Sequence, residues 1–414
     1  MGYKMALKRW QEKNIKDFRN KRRIIQITGA RQCGKTTIAK AITSHYENLY
    51  YTLDNKTILE ACNADPVNFL THNKDIMVID EVQKAPVIIT TLKQIVDEDT
   101  RKGRYIITGS VDIQSLPQVN ESLAGRIGRI LLRTLTQGEI LEKQPVFIEN
   151  LKNNNFKSKY EYDGKEEILY TALNGGYPET LGYTLRDIKN WCHDYITAIL
   201  EKDLKDIENI RNHQNMKKLV ETTAAWSSKY MEQNAIRSAL SIEKPTFNKY
   251  LSLLEMMYII ETLPAYTKTD YERVTKKPKI FMTDTALISS ILNYTMDNIR
   301  LNQDISGKLI ETFIHHELAS FIDYYNGEYS LYHFRDNAGH EIDFILQDNN
   351  ANNIYAIEIK AGSNISRNDF KHIKWFNNNI AKNNKFIGII LYTGKETLSF
   401  GDNLKAVPIC ALWE

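Results

Sequence analysis

Gly29, Ala30, Arg31, Gln32, Cys33, Gly34, Lys35, Thr36 and Thr37 carry the plainest chemistry in the chain. They spell G-x-x-x-x-G-K-T-T between an apolar run, Ile24 to Thr28, and a helix-forming run that continues to Ile42. Strand, glycine loop and helix in that order read as a phosphate-binding loop. Glycines at 29 and 34 let the backbone curl so that successive N–H groups turn inward onto phosphate oxygens. The helix that follows adds the positive end of its dipole. Lys35 is expected to reach the β- and γ-phosphates and the Thr36 hydroxyl to ligate Mg2+. The pattern implies a bound nucleoside triphosphate.

Two further sets of acids fit metal or proton chemistry. Ile76, Met77, Val78 and Ile79 end in Asp80 and Glu81. On an apolar strand that follows a phosphate-binding loop, Asp80 is expected to hold the Mg2+ shell and Glu81 to polarise the attacking water. Near the other end, Asp343 stands on one predicted strand, and Glu358-Ile359-Lys360 on the next. Glu358 and Lys360 share a strand face. With Glu311 from a preceding helix they could converge on one divalent ion, with Lys360 steadying developing charge. An ion-pair cluster kept for assembly fits the same residues. His315, His316, His333 and His340 fall on unrelated elements without zinc-ligand spacing.

These residues need elements to position them. Five apolar runs (Ile24–Thr28, Leu49–Asp54, Ile76–Ile79, Arg104–Ser110 and Ile127–Leu132) alternate with helical stretches. That alternation predicts a parallel α/β sheet, behind an amphipathic leading helix over Lys4–Asn20. The polar stretch Asn153–Gly164 reads as a linker, and Gly175-Gly176-Tyr177-Pro178 as a tight turn between helices. Met216 to Ala265 predicts three short helices. Ala235–Leu240 and Pro245–Leu254 suit a helix-turn-helix, and Ile259–Leu263 and Lys279–Met282 suit the strands of a wing. In a DNA reader, Lys244, Thr246, Asn248 and Lys249 would face the major groove, whereas a packing module or ATPase lid would leave them idle. A helix over Ser306–Asp323 then precedes strands at Tyr329–Arg335, Glu341–Leu346, Asn353–Lys360 and Phe386–Tyr392.

Composition bounds the remainder. At 414 residues the chain exceeds one core, and two or three domains are expected. A net charge of +3 does not by itself demand a nucleic-acid partner, although the first forty residues are basic. Cysteines at 33, 62, 192 and 410 form no C-x-x-C pair, which implies a reducing compartment and no structural zinc. With no signal-peptide pattern and no apolar run near about 18 residues, a soluble cytoplasmic protein away from membranes is expected.

The order GARQCGKTT, IMVIDEVQ, YIITGS and SLAGR, followed by GGYPE, KIFMTD and HEIDF, resembles the AAA-like ATP-binding proteins of prokaryotes that carry the AAA_14 plus DUF4143 architecture. The resemblance spans nearly the whole chain. It implies ATP with Mg2+ at residues 29–37, and a sensor 1 group at Ser110, with Thr108 as the alternative. Arg126 stands where this class places an arginine finger, which would require a homo-oligomer; a structural ion pair is the competing reading. The last domain resembles a PD-(D/E)xK nuclease core. The expected fold is an AAA-like P-loop parallel sheet over 1–152, a helical lid and winged-helix segment over 165–290, and a restriction-endonuclease-like α/β domain over 300–414. The expected function is ATP hydrolysis coupled to DNA binding or processing. The alternative is an ATP-controlled switch that docks a protein partner through an inactive C-terminal domain.

Overall fold

The computed structural model describes residues 7–110, 123, 125–161, 164–203, 213–267, 269–382 and 384–414. It contains two compact units, Met1–Leu135 with Met256–Tyr258, and Thr136–Glu255 with Ile259–Glu414.

In the first unit, strands β1 (Ile24–Thr28), β2 (Asn48–Thr52), β3 (Ile76–Asp80), β4 (Tyr105–Gly109) and β5 (Ile127–Leu131) form one sheet in the order β2-β3-β4-β1-β5. Every pairing in it is parallel. Parallel sheets bury both faces, so β1, β3 and β4 read as continuous apolar runs and are buried end to end. Ile25, Ile27, Val78 and Ile106 pack with Ile38, Ala39 and Ile42 of the helix Lys35–Thr43. The alternate residues Ile24, Met77, Ile79 and Ile107 pack with Ile88, Ile89 and Leu92 of the helix Val87–Glu98. The strand order brings the carboxyl ends of β1, β4 and β3 side by side, where open α/β sheets bind ligands.

Two expectations change here. The leading helix runs over Glu12–Lys21 rather than from Lys4; residues 4–6 lie outside the described ones. The second strand is an edge strand, half-buried along its length, because among the described residues nothing pairs beyond it.

The second unit holds two sheets. Helices His213–Trp226, Gln233–Leu240 and Lys244–Met256 precede and flank a three-stranded antiparallel sheet in the order β6-β8-β7. Its strands are β6 (Lys229–Tyr230), β7 (Ile260–Leu263) and β8 (Lys279–Met282). After the helix Gln303–Tyr325 comes a six-stranded mixed sheet, β13-β14-β12-β11-β10-β9. Its strands are β9 (Tyr329–Arg335), β10 (Glu341–Asp348), β11 (Ile354–Lys360), β12 (Phe386–Tyr392), β13 (Leu398–Gly401) and β14 (Leu404–Pro408). β9, β10 and β11 run antiparallel, whereas β11, β12 and β14 are parallel. The helix Lys371–Asn379 seats Ile373 and Phe376 on one face among Phe334, Ile345, Ala356 and Ile390.

The stretch read as a linker lies inside this unit. Tyr160 N–H donates to the Lys395 carbonyl at 2.9 Å, Thr397 N–H to Ser158 at 2.9 Å, and Lys405 Nζ to the Asn154 carbonyl at 2.7 Å. A polar composition did not keep its backbone free, because the strands around 395–405 offered it partners.

Two motifs without assigned chemistry meet. Buried Asp284 caps the helix Thr285–Ile291 by accepting from Ala286 N–H at 2.9 Å, and its second oxygen accepts from Gly176 N–H at 3.0 Å. Gly175, at φ +64°, leaves room for that carboxylate, since an added Cβ would stand 2.1 Å from Asp284 Oδ1. Gly175→Ala should therefore lower stability by about 2–3 kcal/mol in urea unfolding followed by tryptophan fluorescence. Gly182→Ala, at φ +81° with nothing within 4 Å of the added carbon, should cost only the backbone share, about 1 kcal/mol. Equal losses would show that the Asp284 contact contributes nothing.

Candidate functional site

The loop after β1 has the curl that its glycines anticipate. Gly29 (φ +147°) packs so closely on the end of β5 that a Cβ would meet the Leu132 carbonyl at 2.1 Å. Gln32 (φ +58°) and Gly34 (φ +102°) are left-handed, the backbone alternation that gathers N–H groups into an anion nest. Ala30 and Cys33 are buried, Arg31 and Thr36 half-buried, and Gln32 and Thr37 exposed. Lys35 opens the following helix, and its buried Nζ donates to the carbonyls of Gly29 at 3.0 Å and Ala30 at 2.8 Å. The lysine is thus held at the loop's own rim.

Asp80 ends β3 beside that loop. Its Oδ2 accepts from the Thr36 hydroxyl at 2.7 Å and the Tyr50 hydroxyl at 2.6 Å, and its Oδ1 from Thr108 Oγ1. Burial, and then the hydrogen bond to Asp80, push the Tyr50 phenol well above its ordinary range, so it remains a donor. Thr36 and Asp80 are hard oxygen donors within one coordination sphere of each other, and they fit Mg2+, which takes one or two protein oxygens together with phosphate and water.

Glu81 follows at φ +61°, a left-handed conformation that costs a non-glycine residue about 1–3 kcal/mol. Its Oε2 accepts from Ser110 Oγ at 3.2 Å and from Gln83 Nε2, and Gln83 also donates to Ser110 Oγ at 3.1 Å. Of the two sensor candidates, Thr108 therefore serves Asp80 and Ser110 serves Glu81. Tyr50 and Gln83 escaped the sequence reading. Their types carry no motif, and only strand register brings Tyr50, paired with Val78, beside Asp80.

Arg126 stands elsewhere. It precedes β5, whose register with β1 sets Ile127 opposite Ile24 at the amino ends of the strands, away from the phosphate loop. Its guanidinium binds Asp97 through Nε at 2.5 Å and Nη2 at 3.0 Å. That hydrogen bond is the main reason the Asp97 carboxyl lies below its usual range. The geometry carries the ion-pair reading of Arg126. Ser122 and Ala124 of the same motif lie outside the described residues.

In the second unit, Glu311, Asp343 and Glu358 do gather, but around an ammonium group. Lys279 of β8 is 1% exposed. Its Nζ lies 2.9 Å from Glu311 Oε1, 3.3 Å from Asp343 Oδ1 and 3.3 Å from Glu341 Oε1. Asp343 Oδ2 accepts from Ile359 N–H at 2.9 Å. Burial alone would lower the Lys279 ammonium, but Glu311 and Asp343 carry it well above its ordinary value. Burial pushes the Glu311 carboxyl up to about 7 against the pull of Lys279, and burial with Asp343 adding to it raises Glu358 well above its ordinary range. Glu358 Oε1 is buried without a hydrogen-bond partner.

Lys360 departs from the expected constellation, since its Nζ pairs with Asp369. Among the described residues no three His, Cys, Asp or Glu side chains stand so as to hold a metal ion. The residues of this cluster therefore do not fit a divalent metal: the positive charge they surround belongs to the chain. The four histidines keep separate company, His315 stacked on Phe281, His316 near Glu317, His333 at the Lys277 carbonyl and His340 at Asp336.

Family models match three consecutive stretches: an AAA domain over residues 21–141, a domain of unknown function (DUF8612) over 165–298, and a domain of unknown function (DUF4143) over 306–412. Uncharacterized proteins of Mycobacterium tuberculosis and Mycobacterium bovis are each 24% identical over 390 residues, 93% of this chain and 80% of theirs. Among solved structures, a Walker-type ATPase of Pyrococcus abyssi aligns with a TM-score of 0.44 at 12% identity, covering 69% of this chain and 96% of its own. The RuvB Holliday junction branch migration motor of Thermotoga maritima aligns with a TM-score of 0.29 at 15% identity, covering 65% and 95%. The AAA match, the parallel sheet and the phosphate loop together support an AAA-like P-loop ATPase domain, a fold that binds ATP. Among the described residues no helix is long and apolar enough to cross a membrane.

Removing the buried ammonium leaves three or four carboxylates uncompensated, a loss worth about 3–5 kcal/mol. Lys279→Met should therefore unfold at markedly lower urea near pH 8, and recover part of that loss near pH 5. Glu311 binds its proton more tightly folded than unfolded, so its share of stability is present below its unfolded value and disappears as pH rises through about 7. A Lys279→Met deficit that does not shrink on acidification would rule out carboxylate repulsion as its cause.

Proposed function

We propose that the chain hydrolyses ATP with Mg2+ at the phosphate loop and uses the nucleotide state to regulate nucleic-acid binding by its second unit. The hydrogen bond of 2.7 Å between Thr36 and Asp80 carries the first half, because it joins a loop hydroxyl and a strand-end carboxylate in one ligand pair. In this reading the N–H groups of residues 29–35 cradle the phosphates, and Lys35 exchanges its carbonyl partners for phosphate oxygens. Thr36 and Asp80 would hold Mg2+, which neutralises charge on the phosphates. Glu81 takes the proton of the attacking water while Ser110 fixes the carboxylate through its hydroxyl. Arg126 has no part in this scheme.

The second half rests on the helix pair Gln233–Leu240 and Lys244–Met256, joined through left-handed Ser241. Phe247, Tyr250 and Leu251 bury one face of the second helix, while Lys244, Asn248 and Lys249 are exposed and Thr246 is half-buried. With the three-stranded sheet that accompanies it, we read this as a winged helix that docks on DNA. We read the mixed-sheet domain as a nuclease-like core. The enclosure of Lys279 by Glu311, Glu341 and Asp343 favours a second reading of that domain alone, as a core that binds or docks, to a protein partner where DNA fails, and does not cut.

Glu81→Gln should keep ATP affinity and lower kcat by roughly 10²–10⁴-fold, and Lys35→Ala should lose nucleotide binding in titration with a fluorescent ATP analogue. Lys244→Glu with Lys249→Glu should weaken binding of labelled duplex DNA, and the wild-type affinity should fall as salt rises. Undiminished ATP turnover in Glu81→Gln would remove the general-base assignment. A salt-insensitive wild type, or one with no DNA affinity, would turn the search toward protein partners. Plasmid incubated with wild type and Mg2+ or Mn2+ should stay whole; cleavage that vanishes in Asp343→Ala would overturn the non-cutting reading.

A further inference from the structure

A phosphate nest depends on where its carbonyls point as much as on its N–H groups. In a planar trans peptide the C=O and the following N–H point in opposite directions. Whatever holds the carbonyl of Cys33 away from the loop therefore turns the N–H of Gly34 into it. Such a carbonyl needs a donor, since a buried acceptor left unpaired is costly.

That donor is Arg9. The residue lies in the segment ahead of the helix Glu12–Lys21, far from the loop in sequence, and is 7% exposed. Its Nη1 donates to the Cys33 carbonyl at 2.8 Å in a fully buried hydrogen bond, and its Nη2 to the Arg133 carbonyl at 2.7 Å. Arg133 follows β5, against whose last turn of chain Gly29 is packed. The backbone N–H of Arg9 donates to Glu12 Oε1 at 3.2 Å, and the neighbouring Trp10 is buried. One planar guanidinium thus ties the far side of the phosphate loop to the end of the neighbouring strand. Both bonds are charge-assisted and their fork geometry is one that lysine cannot reproduce.

We propose that Arg9 is a positioning residue for nucleotide binding: by fixing the Cys33 carbonyl outward, it presents the Gly34 N–H to the nucleotide's phosphates. It also polarises that peptide, which strengthens the N–H as a donor. The inference rests on the phosphate loop being the ATP site. It concerns the phosphates and not the base, so the effect follows the polyphosphate and is indifferent to what the polyphosphate carries.

The test uses the full chain and isothermal titration with ATP, ADP and inorganic tripolyphosphate, for wild type, Arg9→Met and Arg9→Lys. Loss of a charge-assisted bond of this kind should raise Kd about tenfold or more in Arg9→Met, by a similar factor for all three ligands. Arg9→Lys, which keeps the charge but can reach one carbonyl, should fall between. Circular dichroism and the thermal midpoint of each variant report whether the fold is kept; should Arg9→Met fail to fold, Arg9→Lys carries the test alone. Unchanged affinities in a folded Arg9→Met or Arg9→Lys would overturn the role of Arg9. A loss for ATP without a matching loss for tripolyphosphate would overturn it as well. Wild type that binds none of the three would instead remove the ATP site on which the inference stands.

Discussion

A buried carboxylate can be met by neutral hydrogen-bond donors or by a cation, and this chain does one in each unit. Asp80 is surrounded by the hydroxyls of Thr36, Tyr50 and Thr108. Hydroxyls satisfy its oxygens with hydrogen bonds and bring no positive charge of their own, which leaves the place of a counter-ion to a cation that arrives with phosphate. The arrangement of the parallel sheet follows from that need. Only with β4 between β1 and β3 does Thr108 come to stand beside Asp80, with the phosphate loop next along the same edge.

The second unit solves the same problem by cancellation. Glu311, Glu341 and Asp343 come from a helix and a strand and share the ammonium of Lys279, which β8 brings from a different sheet. Burial raises the Glu311 and Glu358 carboxyls above their ordinary range, and the neighbouring acids add to that rise against the pull of the single lysine. Acids gathered in this way tell of an assembled centre without telling of a metal. The difference between a metal site and an ion-pair core lies in the one residue at its middle.

That residue shows where sequence reading stops. The phosphate loop, Asp80, Glu81 and the long central strands were legible because each is a local pattern of residue type and spacing that physics ties to one geometry. Glu311, Asp343 and Glu358 were legible as a group for the same reason. Lys279 was visible only as part of an apolar strand, and its distance in sequence from Asp343 hid the pair. Lys360 looked like the working lysine by spacing, but Asp369 on the turn after β11 captured it. Arg126 stood at a suggestive position, and Asp97 on a neighbouring helix decided its partner. β13 and β14 were missed because they are short, and β13 is largely exposed, leaving no apolar alternation to read.

All four cysteines are buried, and burial raises the thiols of Cys62, Cys192 and Cys410, the last to about 12. All four sulfurs are shielded from reagents, and thiolate, the reactive form, is disfavoured at Cys62, Cys192 and Cys410, so the native cysteines will be slow toward maleimides and similar reagents. The wild-type chain is therefore already a quiet background for spectroscopy. A single cysteine placed on an exposed position of either unit would be the fast-reacting one, and a dye or spin label there would report motion during turnover without first stripping the protein of its own thiols.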